Sequence, residues 1–492
     1  MPAKTLRTSV ALAVAVVSAV VALPAAAHAA PAAPTAPATA RGDDFNGDGY
    51  ADVATAAPSA TVNGRAKAGY VAVMYGSATG LRTASKQVFS QATAGIPGVA
   101  EEGDAFGAGV STEDLDRDGY ADLIVGATGE DVGTVEDAGI LSVVWGGAKG
   151  LAGGAVLAEG KTLREQVGKL VKAGDFDADG NPDVATITES REIRLLSGPF
   201  GRDGAARATS QTPDTAGDTR FLDTSVADVN GDGTDDLVAA VNSSEEWDSR
   251  SVFYWRGTPD GFAPAAPVVG TNGYSIEGGE HIAAGDVNKD GYADLVVGRS
   301  VDGYDSDVDI PMAKGGMVTY VPGSATGPQG TKAKIFNQDS PGIPGAAEND
   351  DAFGSSVSIN DVNGDGYGDI AIGVFGEALG TLKRAGSVTV LRGSATGPTG
   401  TGAQGFNQDT PGVTGVAETD DFFGLAVKLV DTNRDARAEL VVGAPRENAG
   451  AGSVWVLPGT TAGITATGSF TFGAGTLGTT APGAALGSSF NR

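Results

Sequence analysis

Cysteine is absent from all 492 residues, and histidine occurs only twice. The first absence excludes disulfides, thiolate nucleophiles and cysteine-bound zinc, and the second leaves little scope for histidine–metal chemistry. The one histidine beyond the first thirty residues, His281, sits on an expected strand five residues before Asp286. A structural hydrogen bond is its plainest role there. Basic residues are scarce, with 33 Lys and Arg against 61 Asp and Glu, for a formal net charge of −28. Nucleic acid and anionic membranes are therefore poor partners. Long apolar runs are missing apart from Val10–Leu23, which falls short of the roughly 20 residues that span a bilayer. No stretch sustains a 3.6-residue apolar period, so helices should be few.

The start of the chain has the form of a secretory signal. Lys4 and Arg7 precede the apolar run, and Ala27-His28-Ala29 fits the small-x-small rule for cleavage. Residues 1–29 are expected to be removed, leaving an Ala/Pro-rich flexible leader over 30–40 and a secreted, extracellular chain without a membrane span. An exported protein without disulfides needs another staple, and a metal ion is the obvious candidate.

What is present in abundance is a nine-residue pattern, Asp-x-(Asp/Asn)-x-Asp-Gly-x-x-Asp. Its filled positions are Asp44, Asn46, Asp48 and Asp52; Asp114, Asp116, Asp118 and Asp122; Asp175, Asp177, Asp179 and Asp183; Asp228, Asn230, Asp232 and Asp236; Asp286, Asn288, Asp290 and Asp294; and Asp361, Asn363, Asp365 and Asp369. A seventh copy, Asp431 to Glu439, is degenerate: it has Ala436 in place of the glycine and Glu439 in place of the last aspartate. Successive copies start 53 to 75 residues apart, which suits a four-stranded blade with variable loops.

Each copy leads into a short run rich in β-branched residues, such as Leu123–Ala127, Leu295–Gly298 or Leu440–Pro445. A further strand follows, as at Gly69–Tyr75 or Gly452–Leu457, and then a turn such as Gly76-Ser-Ala-Thr-Gly80. These read as buried strands punctuated by tight turns. An earlier strand opens with Phe106-Gly107, Val167-Gly168, Phe353-Gly354 or Phe423-Gly424. The repeat predicts an all-β, seven-bladed β-propeller with four-stranded antiparallel blades. The blades are expected near 41–97 with 485–490, then 104–162, 166–216, 219–273, 278–345, 351–415 and 421–484.

The nonapeptides carry hard oxygen donors at alternate positions, with glycine where a sharp turn is needed, and this donor set suits calcium. Unlike an EF-hand, they have no glutamate at position twelve, which is Thr55 in the first copy and Val125 in the second. Polar turns alone would explain one such loop. Six complete loops point to about six calcium sites.

Residues 41–492 resemble the FG-GAP repeat family, the propeller repeats of integrin α subunits and of glycosylphosphatidylinositol phospholipase D. The resemblance rests on Phe423-Gly424, Asp431–Glu439 and Gly443-Ala444-Pro445, together with linkers such as Glu348-x-x-Asp351-x-Phe353-Gly354. It implies the fold and calcium, but neither adhesion nor lipase activity. Arg41-Gly42-Asp43 spells an integrin-ligand tripeptide, but it abuts the first loop. The leading expectation is a monomeric extracellular binding or adhesion-type module without a catalytic centre, for a protein or glycan ligand; the alternative is a carbohydrate-binding propeller or one serving a secreted hydrolase.

Because the nonapeptides join first and second strands, the ligand face is expected on the opposite side. There Glu130–Asp137, Ser243–Ser249 and Val301–Lys314 gather, with Trp247, Tyr274 and Tyr304 as aromatic candidates. The first copy has no Phe-Gly strand before it. Aligning Phe490 with Val357, four residues before a nonapeptide, predicts that residues 485–490 supply that strand and close the ring.

Overall fold

The computed structural model describes residues 42–188, 192–212, 219–243, 250–302 and 314–491, and Met1. The signal segment, the leader, Arg41, Trp247 and Tyr304 lie outside these residues. Within the compact unit Thr39–Arg492, the strands form seven four-stranded antiparallel sheets arranged as blades of a propeller. Blade 2 shows the pattern: Phe106–Glu113 pairs with Asp122–Ala127, that with Ile140–Val144, and that with Gly154–Glu159. Among the described residues, helices are confined to single turns at Glu447–Gly450 and Ala474–Leu477 and a 3-10 turn at Gly330–Lys332. No helix among the described residues is long and apolar enough to cross a membrane.

The second strand of each blade is buried on both faces, because its alternating side chains pack against two different neighbours. In blade 2, Leu123, Val125 and Ala127 join Val71, Val73 and Phe106 in the cluster shared with blade 1. Ile124 points the other way, to Val167, Val184 and Leu196 of blade 3. Seven apolar clusters fill the seven interfaces, and one of them joins Val441, Val454 and Phe472 of blade 7 to Val53, Met74 and Phe490 of blade 1.

That last cluster marks the closed ring. Thr55 and Ala56 pair with Phe490 and Ser489, and the Gly487 and Asn491 amides donate to the Ala56 and Ala54 carbonyls. The regular pairing is shorter than the six residues expected, and Gly487 turns with φ +87°. Leu486-Gly487 occupies the place that Phe-Gly takes in other blades.

The glycines explain the Phe-Gly and Gly-Ala motifs. The backbones of Phe353-Gly354, Phe423-Gly424 and Leu486-Gly487 lie directly against a glycine of the preceding blade's second strand, whereas Phe106-Gly107 meets Ala56 there. A Cβ on Gly373 would sit 2.0 Å from the Gly424 carbonyl oxygen, and one on Gly443 would sit 2.0 Å from that of Gly487. Gly443→Ala is therefore expected to force apart the closing interface and to destabilise the protein by about 1–3 kcal/mol. Gly475→Ala, where an added Cβ meets nothing within 4 Å, is the control. Thermal melting of the two variants checks this; equal transitions would remove the close contact as the reason for glycine.

Candidate metal loops

Six nonapeptides form the tight turn between first and second strands, the one in blade 1 leads into a second strand whose partner comes from the C-terminus, and their hydrogen bonds repeat from blade to blade. The position-one aspartate accepts the amide of position six in all seven loops, at 2.6 to 3.0 Å. The position-five carboxylate accepts the amide of position seven, at 2.8 to 3.1 Å. These local bonds are the ones short polar side chains make in turns, and they fix the backbone of each turn.

Position nine is anchored differently. One oxygen of Asp52, Asp122, Asp183, Asp236, Asp294 and Asp369 accepts the amide of position two, at 2.9 to 3.1 Å. The other accepts a glycine amide just beyond the third strand, at 2.7 to 3.0 Å. All six carboxylates are fully buried. Burial raises their pKa: Asp52 and Asp122 to about 8, Asp183 to about 7, Asp236 and Asp294 to about 6. Asp369 is also raised, with Arg392 opposing the effect. Neighbouring loop aspartates add to the burial in Asp52, Asp122 and Asp183. A buried carboxylate facing others of its kind is an electrostatic debt that a cation at the centre of the loop would relieve.

The donor set fits calcium. Asp114, Asp116 and Asp122 bring one oxygen each within 4.8 Å of one another, as do Asp175, Asp177 and Asp183. In these same two loops the Asp116 and Asp175 Oδ1 atoms are buried without a hydrogen-bond partner. All ligand atoms available are hard oxygens, with neither cysteine nor histidine near.

The structure also shows what the sequence reading missed. The two loops with aspartate rather than asparagine at position three each meet an arginine. Arg202, from the blade 3 turn, pairs with Asp116 at 2.5 Å and with Asp118. Arg207 pairs with Asp177 at 2.6 Å and Asp179 at 2.8 Å. In each of these two loops the arginine offsets the charge of the additional acid. The seventh loop stands apart. Glu439 is mostly buried, and its Oε1 takes the Asn433 amide at 2.8 Å instead of a glycine amide.

The remaining candidates fall as follows. Tyr274 is exposed in the connection between blades 4 and 5. His281 lies on the first strand of blade 5, 3.8 Å from Asp223 of blade 4, in keeping with a structural role between blades. Asp43 of the Arg-Gly-Asp tripeptide faces inward: its carboxylate accepts Thr112 Oγ1 at 2.7 Å, Lys428 Nζ at 2.9 Å and Asn491 Nδ2 at 2.6 Å. It lines a cavity of about 670 Å³ between the inner strands, with Glu113, Lys172, Asp235 and Lys428.

Comparison with known proteins agrees with this architecture. The FG-GAP repeat model matches residues 36–74, 106–144, 353–391 and 423–457, and an FG-GAP-like repeat model matches 228–297. Integrin alpha pat-2 of Caenorhabditis elegans is 27% identical over 231 residues, 43% of this chain and 18% of the relative. Phosphatidylinositol-glycan-specific phospholipase D of Dictyostelium discoideum is 28% identical over 190 residues, 37% of this chain and 19% of the relative. The same enzyme of Rattus norvegicus is 28% identical over 163 residues, 33% and 18%. The chain thus aligns with less than a fifth of the length of these curated relatives. With glycine-tight blade contacts, seven acidic hairpins and these matches together, the chain is a propeller that carries FG-GAP repeats.

Proposed function

We propose that the chain is an exported, calcium-binding propeller that acts as an extracellular binding or adhesion-type module and has no catalytic centre of its own. The observation that carries the calcium reading is the equivalence of six loops, each with a fully buried carboxylate fixed by two backbone amides. Such groups are positioned in advance for a cation and are costly without one. Cleavage after about Ala29 would release the mature chain, with the leader over 30–40 ahead of the propeller. A closed ring leaves only short, protected strand edges, which supports a monomer.

The loops occupy one face, so the ligand surface is the other, where the second-to-third and fourth-to-first connections emerge. The ligand is a protein or a glycan. The integrin resemblance supports the first, and the exposed Tyr274, with the aromatic candidates Trp247 and Tyr304 of the sequence, supports the second. Screening the purified protein on a glycan array and against extracellular proteins identifies the class. Alanine at Trp247, Tyr274 and Tyr304 is expected to weaken the ligand found by tenfold or more without moving the melting transition. A ligand mapped among the acidic hairpins would overturn this choice of face.

A further inference from the structure

On the face opposite the hairpins a second carboxylate arrangement repeats. Before the Phe-Gly of blades 2, 6 and 7 stand Asp104, Asp351 and Asp421, each at most 3% exposed. Each accepts the amide of the glutamate three residues earlier, at 2.5 to 2.7 Å. At the end of the second strand of the same blades stand Glu130, Glu377 and Glu447. Each receives the Nε2 of a glutamine from the preceding blade: Gln91 at 2.5 Å, Gln338 at 2.6 Å and Gln408 at 2.7 Å. The glutamine and glutamate are 39 residues apart in all three cases. The Asp421 and Glu447 carboxyls lie within hydrogen-bond reach of each other.

Two observations show that this cradle is incomplete. Gln91, Gln338 and Gln408 are all at least nine-tenths buried, yet in each one Oε1 has no hydrogen-bond partner. A lone unpaired amide oxygen could be accidental, but the same oxygen in three equivalent interfaces is a built feature. Moreover, among the described residues no Lys or Arg pairs with any of the six acids.

Other interfaces supply the missing charge from the protein. Glu165, at the place of Asp104 in blade 3, is bound by buried Arg194 at 2.5 Å. Between blades 4 and 5, Arg299 meets Glu277 at 2.5 Å and Arg250 meets Glu280 at 2.6 Å. The arginines stand where the glutamine cradles have no positive group.

We propose that the three cradles are cation sites, separate from the hairpin loops, in which the aspartate and glutamate carboxylates and the glutamine Oε1 hold a hard cation that clips blade 1 to 2, 5 to 6 and 6 to 7. A flip of the glutamine amide, which leaves the side-chain shape unchanged, turns Oε1 toward the carboxylates. The all-oxygen donor set favours calcium over softer metals.

Bound calcium counted per chain by equilibrium dialysis and metal analysis tests this. The triple variant Glu130→Gln, Glu377→Gln, Glu447→Gln is expected to lose three equivalents relative to wild type, whatever the number held by the hairpins. Gln338→Leu removes an amide oxygen and no charge, and is expected to lose one; it decides the matter if the triple variant does not fold. Unchanged stoichiometry in a variant with native circular dichroism overturns the proposal, and is also the result if a shared proton neutralises the acids. Hairpin binding is read separately from Asp122→Asn, so failure of one set of sites is distinguishable from failure of the other.

Discussion

Deleting residues 485–492 is expected to unfold or aggregate the protein, far beyond the effect of trimming an ordinary tail. The segment contributes Leu486, Phe490 and Asn491 to the interior, all essentially buried. Burying a leucine and a phenylalanine stabilises by about 1.5–3 kcal/mol each. Asn491 is tied on every side. Its Oδ1 accepts the Ala54 amide at 2.9 Å, its Nδ2 reaches Asp43, and its carbonyl accepts Lys428 Nζ at 2.8 Å. Removing it leaves buried polar groups without partners, at about 1–3 kcal/mol for each group stranded. The total is on the order of the whole stability of many domains, about 5–15 kcal/mol. Deletion also strips the partner from Val53–Ala57, a fully buried strand that becomes an open edge. Size-exclusion chromatography and thermal melting of the truncated chain check this. A monomer with wild-type melting would show that closure does not depend on the C-terminal strand.

This closure was legible from the sequence because it is a matter of register. Phe490 fell at the place of Val357 once the nonapeptides were aligned, and the same alignment located the hairpins and the buried strands after them. What stayed hidden was the pairing between distant segments. Arg202 reaches Asp118 across 84 residues, and nothing in the local pattern around Asp118 requires an arginine there. The glutamine cradles were half visible. The Glu-x-x-Asp-x-Phe-Gly linker stood out as a motif, but its partners lie on another blade and on the next strand, so their meeting is a property of the fold. Blade 4 departs from the pattern for a physical reason: its outer strand shrinks to Ala266–Pro267, where proline cannot donate to the ladder.

Calcium removal gives the second large effect. Each occupied site stabilises the folded state by about 2.7 kcal/mol when calcium exceeds its dissociation constant a hundredfold. Several such sites together exceed the effect of most point substitutions. The sign of the pH dependence follows from the buried position-nine carboxylates, whose folded pKa values are raised from 3.8 to between about 6 and about 8. Without metal, the folded state holds protons that the unfolded state has released, so stability falls as pH rises from about 4 to about 8. Calcium competes with those protons for the same oxygens, so the stabilisation it provides grows over the same interval.

The most direct test of the account is therefore a thermal melting comparison at pH 8 and pH 5, of metal-free protein against protein saturated with calcium. A large upward shift of the transition with calcium is expected at pH 8 and a much smaller one at pH 5. Coincident transitions at pH 8, with metal analysis confirming that one sample is free of calcium and the other loaded, would contradict it.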